Sequence, residues 1–140
     1  MIYLDTGAFI ARYVQRDQYH HQALKAWESL AKSGQRCATS NFVLNETFTL
    51  LARRAGYQFA AQRARRILSS GVLTILRPIE EDEYAAVDLL EKYADQAVSF
   101  TDCVSFVLMR RHGIREVFSF DSHFARAGFQ LFGHSATHDS

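Results

Sequence analysis

The chain has 140 residues, 48% of them hydrophobic, a single proline at Pro78 and a formal net charge of +1. That length suits one domain with a substantial core, and the composition excludes a disordered chain or a long flexible linker. A charge so close to zero excludes a global polycation, so any nucleic-acid contact has to come from local basic patches. Cys37 and Cys103 lack C-x-x-C spacing and sit in apolar sequence, which reads as free thiols in a reducing compartment. No charged-then-apolar leader opens the chain, and no apolar run reaches the ~20 residues of a membrane span. A cytoplasmic protein without membrane attachment is expected.

Ile2–Leu4 reads as a short buried strand, followed by a helix over Ala8–Val14. Tyr19–Lys32 is an amphipathic helix with Ala23, Leu24, Trp27, Leu30 and Ala31 at helical spacing, and Ser33-Gly34 ends it. Arg36–Thr39 is a strand, and Ser40 or Asn41 is a good N-cap for a helix that runs to about Ala55 and stops at Gly56. Tyr57–Ser70 is another helix, closed by Gly71, and Val72–Leu76 is a strand of β-branched and apolar residues. Acids crowd the first turn of a helix from Glu80 to about Ala94, as the macrodipole favours. Ser99–His112 is helical and apolar on most sides, hence well buried. Val117–Phe120 is a strand, Ser122–Arg126 a short helix and Phe129–Phe132 a last strand. This alternation predicts right-handed crossovers and a three-layer α/β/α sandwich around a short, mainly parallel sheet. One domain over residues 1–133 and a polar tail over 134–140 are expected.

The informative residues are acids. Asp5 ends the first strand and Asp121 follows the strand Val117–Phe120, and ligands of an open α/β sheet bind at that carboxyl edge. Glu46 interrupts an apolar helix stripe that contains Val43 and Leu50, and a lone buried carboxylate is costly unless something pairs with it. Asp102 follows Thr101 at the start of the buried helix. Each has an ordinary alternative: a turn or N-cap for Asp5, Asp102 and Asp121, and an edge position or ion pair for Glu46. Together, at one edge of one sheet, they would repel one another unless a cation lies between them. Asp17, Asp82, Asp88 and Asp95 read as solvated, the histidines show no metal-type spacing, and His123, close to Asp121, reads as surface packing, with a substrate contact as the alternative. Neither a nucleophile elbow nor a phosphate-cradling glycine loop is present. Leu4-Asp5-Thr6-Gly7 matches the aspartic-protease loop literally, but that family needs a β-rich chain.

Met1–Gly7, Ser40–Leu51, Ser99–Ile114 and Val117–Phe129, in this order and spacing, give the chain a resemblance to the PIN-domain nucleases. Within them it resembles the VapC-like toxins of type II toxin–antitoxin pairs. The family's acidic positions fall on Asp5, Glu46, Asp102 and Asp121; Thr6 matches the small polar residue after the first acid, and Ser119 stands where threonine is usual. The resemblance implies a PIN-like fold and a Mg²⁺- or Mn²⁺-dependent endoribonuclease. It also implies an RNA substrate, a homodimer and a VapB-like antitoxin partner. Asp5 and Asp102 would be the principal metal ligands, with Glu46 and Asp121 binding directly or through water. The alternative is a catalytically silent PIN-like module that binds RNA or protein. Basic residues should rim an acidic pocket that receives RNA; candidates are Arg53-Arg54, Arg63, Arg65, Arg66, Arg110, Arg111 and Arg115.

Overall fold

β1 (Ile2–Leu4) lies at the centre of the sheet and is buried along its whole length. The computed structural model describes residues 1–133, and the tail expected over 134–140 lies outside them. Along the chain follow α1 (Thr6–Tyr13), α2 (His20–Ser33), β2 (Cys37–Ser40), α3 (Asn41–Ala55) and α4 (Tyr57–Leu68). Then come β3 (Leu73–Leu76), α5 (Glu80–Lys92), a 3-10 turn at Ala94–Gln96, α6 (Phe100–Arg111), β4 (Glu116–Phe118), α7 (His123–Arg126) and β5 (Gln130–Leu131).

The sheet has five strands in the order β3-β2-β1-β4-β5, and every pairing is parallel. From β1 the chain first steps outward to β2 and β3, then returns across β1 to β4 and β5. Right-handed crossovers in opposite directions place helices on opposite faces, so α1–α4 and α5–α7 form the two outer layers of the α/β/α sandwich. The reversal falls between β1 and β4, and the crevice at the carboxyl ends of those strands is the switch point where such sheets bind ligands.

Local chemistry explains most element boundaries. The Ser40 hydroxyl accepts from the Val43 amide at 3.1 Å and caps α3. Gly56, at φ 97°, lets the chain turn from α3 into α4. α6 buries Cys103, Val104, Phe106, Leu108 and Met109, as its apolar sequence requires. On α2, Ala23 and Leu30 are buried, but Leu24 is 44% exposed and Ala31 lies on the solvent side, so the apolar stripe is narrower than the sequence suggests. Both cysteines are free. No described helix is long and apolar enough to cross a membrane.

Asp82 departs from its expected solvated position. It is 4% exposed; its Oδ2 accepts from the Ile79 amide at 3.0 Å and from Arg111 Nη2 at 2.9 Å. The acid caps the start of α5 and ties it to the end of α6, a long-range partnership invisible to a local reading of the acidic first turn.

Candidate metal centre

The pairing of Leu4 with Phe118 places the next residues, Asp5 and Ser119, side by side. The Asp5 amide donates to the Phe118 carbonyl at 3.1 Å, and the Ser119 hydroxyl donates to Asp5 Oδ2 at 2.7 Å. Ser119 Oγ also accepts from the Asp121 amide at 3.0 Å, so one buried hydroxyl connects the two strand-end acids. Asp121 Oδ1 in turn accepts from the His123 amide at 2.9 Å, the hydrogen bond of a tight turn into α7.

Asp102 enters from the other outer layer. Its amide donates to the Ser99 hydroxyl at 3.1 Å, while the Ser99 amide approaches Asp102 Oδ2 at 3.4 Å. This capping box fixes the carboxylate at the N-terminus of α6. Below it, Ser105 on the same helix shares a 2.8 Å hydrogen bond with the Tyr3 hydroxyl of β1 and fastens α6 to the sheet. Burial holds that phenol well above the ordinary tyrosine range, and nearby Asp5 and Asp102 add to the effect.

Asp5, Thr6, Glu46, Asp102, Asp121 and His123 all line one cleft of about 660 Å³. Within it, Asp102, Asp121 and His123 offer ligand atoms that lie within 4.8 Å of one another. Asp5 and Glu46 stand in the same cleft outside that triplet. Burial, then the negative charge of Asp102, pushes the Asp5 carboxyl up to about 7; the Ser119 hydrogen bond works against the rise. Asp102 is raised as well, first by burial and then by Asp121, with Ser99 and His123 opposing. Both shifts follow from burial, reinforced by the charge of a neighbouring acid.

His123 is the residue the sequence reading misplaces. It does not pack on the surface: Nδ1 lies 3.0 Å from Asp121 Oδ1 and 3.4 Å from Asp102 Oδ2, with its side chain 18% exposed. The available signal was the two-residue step from Asp121, which a turn folds back so that the ring faces the acid.

The basic candidates separate. Arg54 lines the acidic cleft and approaches Asp17 at 3.8 Å. Arg63 and Arg66 line a second groove with Tyr13 and Trp27, and the Arg63 guanidinium lies 5.0 Å from the centre of the Phe59 ring. Arg110 donates to the Ala127 carbonyl at 2.8 Å, and Arg111 is paired with Asp82. The structure thus brings the four acids, Thr6 and Arg54 to one cleft and leaves Arg63, Arg66, Arg110 and Arg111 away from its lining.

Hard divalent cations take oxygen ligands from carboxylates and keep several waters. The donor set suits such an ion, and Thr6, which lines the cleft, has a buried hydroxyl with no hydrogen-bond partner among the described residues. A parallel sheet with carboxylates gathered at its switch point is an architecture that can hold a divalent cation. The chain belongs to the PIN-domain family, whose model matches residues 2–130. Within that family it is VapC-like: it is 36% identical over 129 residues to the 23S rRNA-specific endonuclease VapC20 of Mycobacterium tuberculosis, covering 92% of this chain and 95% of that protein. The crystal structure of VapC20, described as a sarcin–ricin loop cleaving toxin, superposes with a TM-score of 0.83 at 35% identity, over 92% of this chain and 96% of that one. VapBC2 from Rickettsia felis, bound to a DNA fragment from its promoter, shares the fold at a TM-score of 0.66 and 16% identity, over 94% of this chain and 97% of that one.

Proposed function

We propose that this protein is the toxin of a toxin–antitoxin pair, a metal-dependent endoribonuclease that hydrolyses RNA with water as nucleophile. The observation that carries this reading is the meeting of Asp5, Glu46, Asp102 and Asp121 in one cleft, where burial first and then the neighbouring acids push the Asp5 carboxyl up to about 7. A silent binding module has no need of four carboxylates gathered at one point. Asp5, Glu46, Asp102 and Asp121 would hold Mg²⁺ or Mn²⁺, directly or through water. When bound, the cation supplies polarisation of the scissile phosphate and a lowered pKa for a water nucleophile.

The chain's own residues divide the remaining work. Ser119 orients Asp5 and, through the Asp121 amide, the turn that carries Asp121. Ser99 fixes Asp102 at the positive end of α6, where its charge is favoured. Arg54 offers a guanidinium at the cleft to an RNA phosphate. Arg63, Arg66, Arg110 and Arg111 would meet only RNA that extends beyond the cleft.

The curated relative is named for 23S rRNA, and its crystal structure for the sarcin–ricin loop. For this chain we take structured RNA with an exposed loop as the substrate class. We also assign a cytoplasmic location, a homodimer and a VapB-like antitoxin that covers the acidic cleft. The test is metal-dependent cleavage of total RNA and of a sarcin–ricin loop oligonucleotide, with Asp5→Asn as control and the cut ends sequenced. Cleavage by wild type alone, leaving 5′-phosphate ends, is the expected result. Equal cutting by both proteins removes the assignment.

A further inference from the structure

We propose that His123 binds the metal directly through Nδ1 and that this nitrogen shifts the centre's preference from Mg²⁺ toward Mn²⁺. The inference rests on the metal-dependent reading above and deepens it. Nδ1 stands 3.0 Å from Asp121 Oδ1 and 3.4 Å from Asp102 Oδ2, and the three donors lie within 4.8 Å of one another. In an octahedral site with bonds of ~2.1 Å, adjacent ligand atoms are ~3.0 Å apart. The separations of the ring nitrogen from the two carboxylates are close to that edge.

A plain ion pair explains the arrangement less well. The single Nδ1 proton would have to be shared between two carboxylate oxygens, at 3.0 and 3.4 Å. A cation placed among the donors would satisfy all three. The backbone also preorganises the triplet. Asp121 Oδ1 is held by the His123 amide at 2.9 Å, and α7 is anchored by fully buried Phe124 immediately after the histidine. Thr6, a residue of the same cleft lining, has a buried hydroxyl with no hydrogen-bond partner among the described residues. Mg²⁺ is bound almost wholly by oxygen, whereas imidazole favours the transition metals. A mixed carboxylate–imidazole set therefore discriminates between the two ions in a way that four carboxylates would not.

The decisive measurement is electron spin-echo modulation on the Mn²⁺-loaded full chain. Wild type should show the ¹⁴N modulation of a coordinated imidazole, replaced by the ¹⁵N pattern when histidine is isotopically labelled. Isotope labelling needs no substitution, so it holds even where a variant fails to fold. In parallel, metal affinities of wild type and H123Q are measured by calorimetry. H123Q should lose Mn²⁺ affinity by about tenfold or more, with Mg²⁺ affinity changed much less, and should lose the nitrogen signal. Bound Mn²⁺ without nitrogen modulation in wild type overturns the inference, as does an unchanged Mn²⁺/Mg²⁺ ratio in H123Q. Those results would leave the nuclease reading standing if RNA is still cut; absence of metal-dependent cutting by wild type overturns the nuclease reading itself.

Discussion

Asp5 makes the metal-free protein's stability depend on pH in a direction opposite to that of an ordinary paired carboxylate. Its folded-state pKa rises from 3.8 to about 7 because burial and the charge of Asp102 oppose ionisation. The folded state therefore holds the proton more tightly than the unfolded chain does. Its contribution to stability is fully present below pH 3.8 and is lost as pH rises through about 7. A difference of about three pKa units corresponds to on the order of 4 kcal/mol. Asp5→Asn keeps an acceptor for the Ser119 hydroxyl and removes the titration. The assay is urea unfolding of both metal-free proteins from pH 4 to pH 8.5, read as the difference in unfolding free energy at each pH. Taking the difference cancels acid effects common to both chains. The variant should gain on wild type from pH 4 to about 7 and level off above it, with the total gain on the order of 4 kcal/mol. Asp102 is raised too, so a smaller slope of the same sign remains in Asp5→Asn. A difference that is flat with pH, or that favours wild type above pH 7, would refute the reasoning. Metal should offset most of the effect in wild type, since a cation bound only to the folded state at 100 times its Kd adds about 2.7 kcal/mol.

Ser119→Ala removes the hydrogen bond that lowers the Asp5 pKa; it should cost about 1 kcal/mol in urea unfolding and move the acid limb of the cleavage profile to higher pH, while Ser119→Thr restores both. Arg111→Met leaves the buried Asp82 carboxylate without its half-exposed guanidinium; a loss of about 1.5 kcal/mol is expected, with cleavage per folded molecule unchanged. Arg54→Gln should weaken binding of a non-cleavable RNA and lower the salt slope by about one, and an equal effect from Arg110→Gln would argue against the acidic cleft as the entry point. A substrate with a single 2′-deoxynucleotide 5′ of the cut should still be cleaved, because water and not the 2′-hydroxyl attacks; its resistance, tested on a denaturing gel, would replace that mechanism.

The strand-to-acid junctions at Asp5 and Asp121 were legible because a buried parallel strand is a short apolar run, and its end marks the ligand edge of the sheet. Ser40 was legible as a cap for the same local reason. Asp82 and His123 were not, since their partners lie on other elements: Arg111 on α6 for the first, Asp102 for the second. Helix periodicity could not show that Leu24 faces solvent, because a stripe gives a direction and not the width of the surface that covers it.

The ordinary readings of the acids did not compete with the functional one. Asp102 is an N-terminal capping-box residue, and Asp121 does accept a turn hydrogen bond from the His123 amide. Those bonds fix the orientation of the carboxylates. A free carboxylate on a strand end would rotate away from its neighbours to relieve repulsion. A carboxylate held by Ser99, Ser119 or the His123 amide has fewer ways to do so. The caps hold like charges together in the folded chain, and their repulsion adds to burial in raising the pKa values of Asp5 and Asp102. The local hydrogen bonds that made each acid look ordinary are what hold the group ready for a cation.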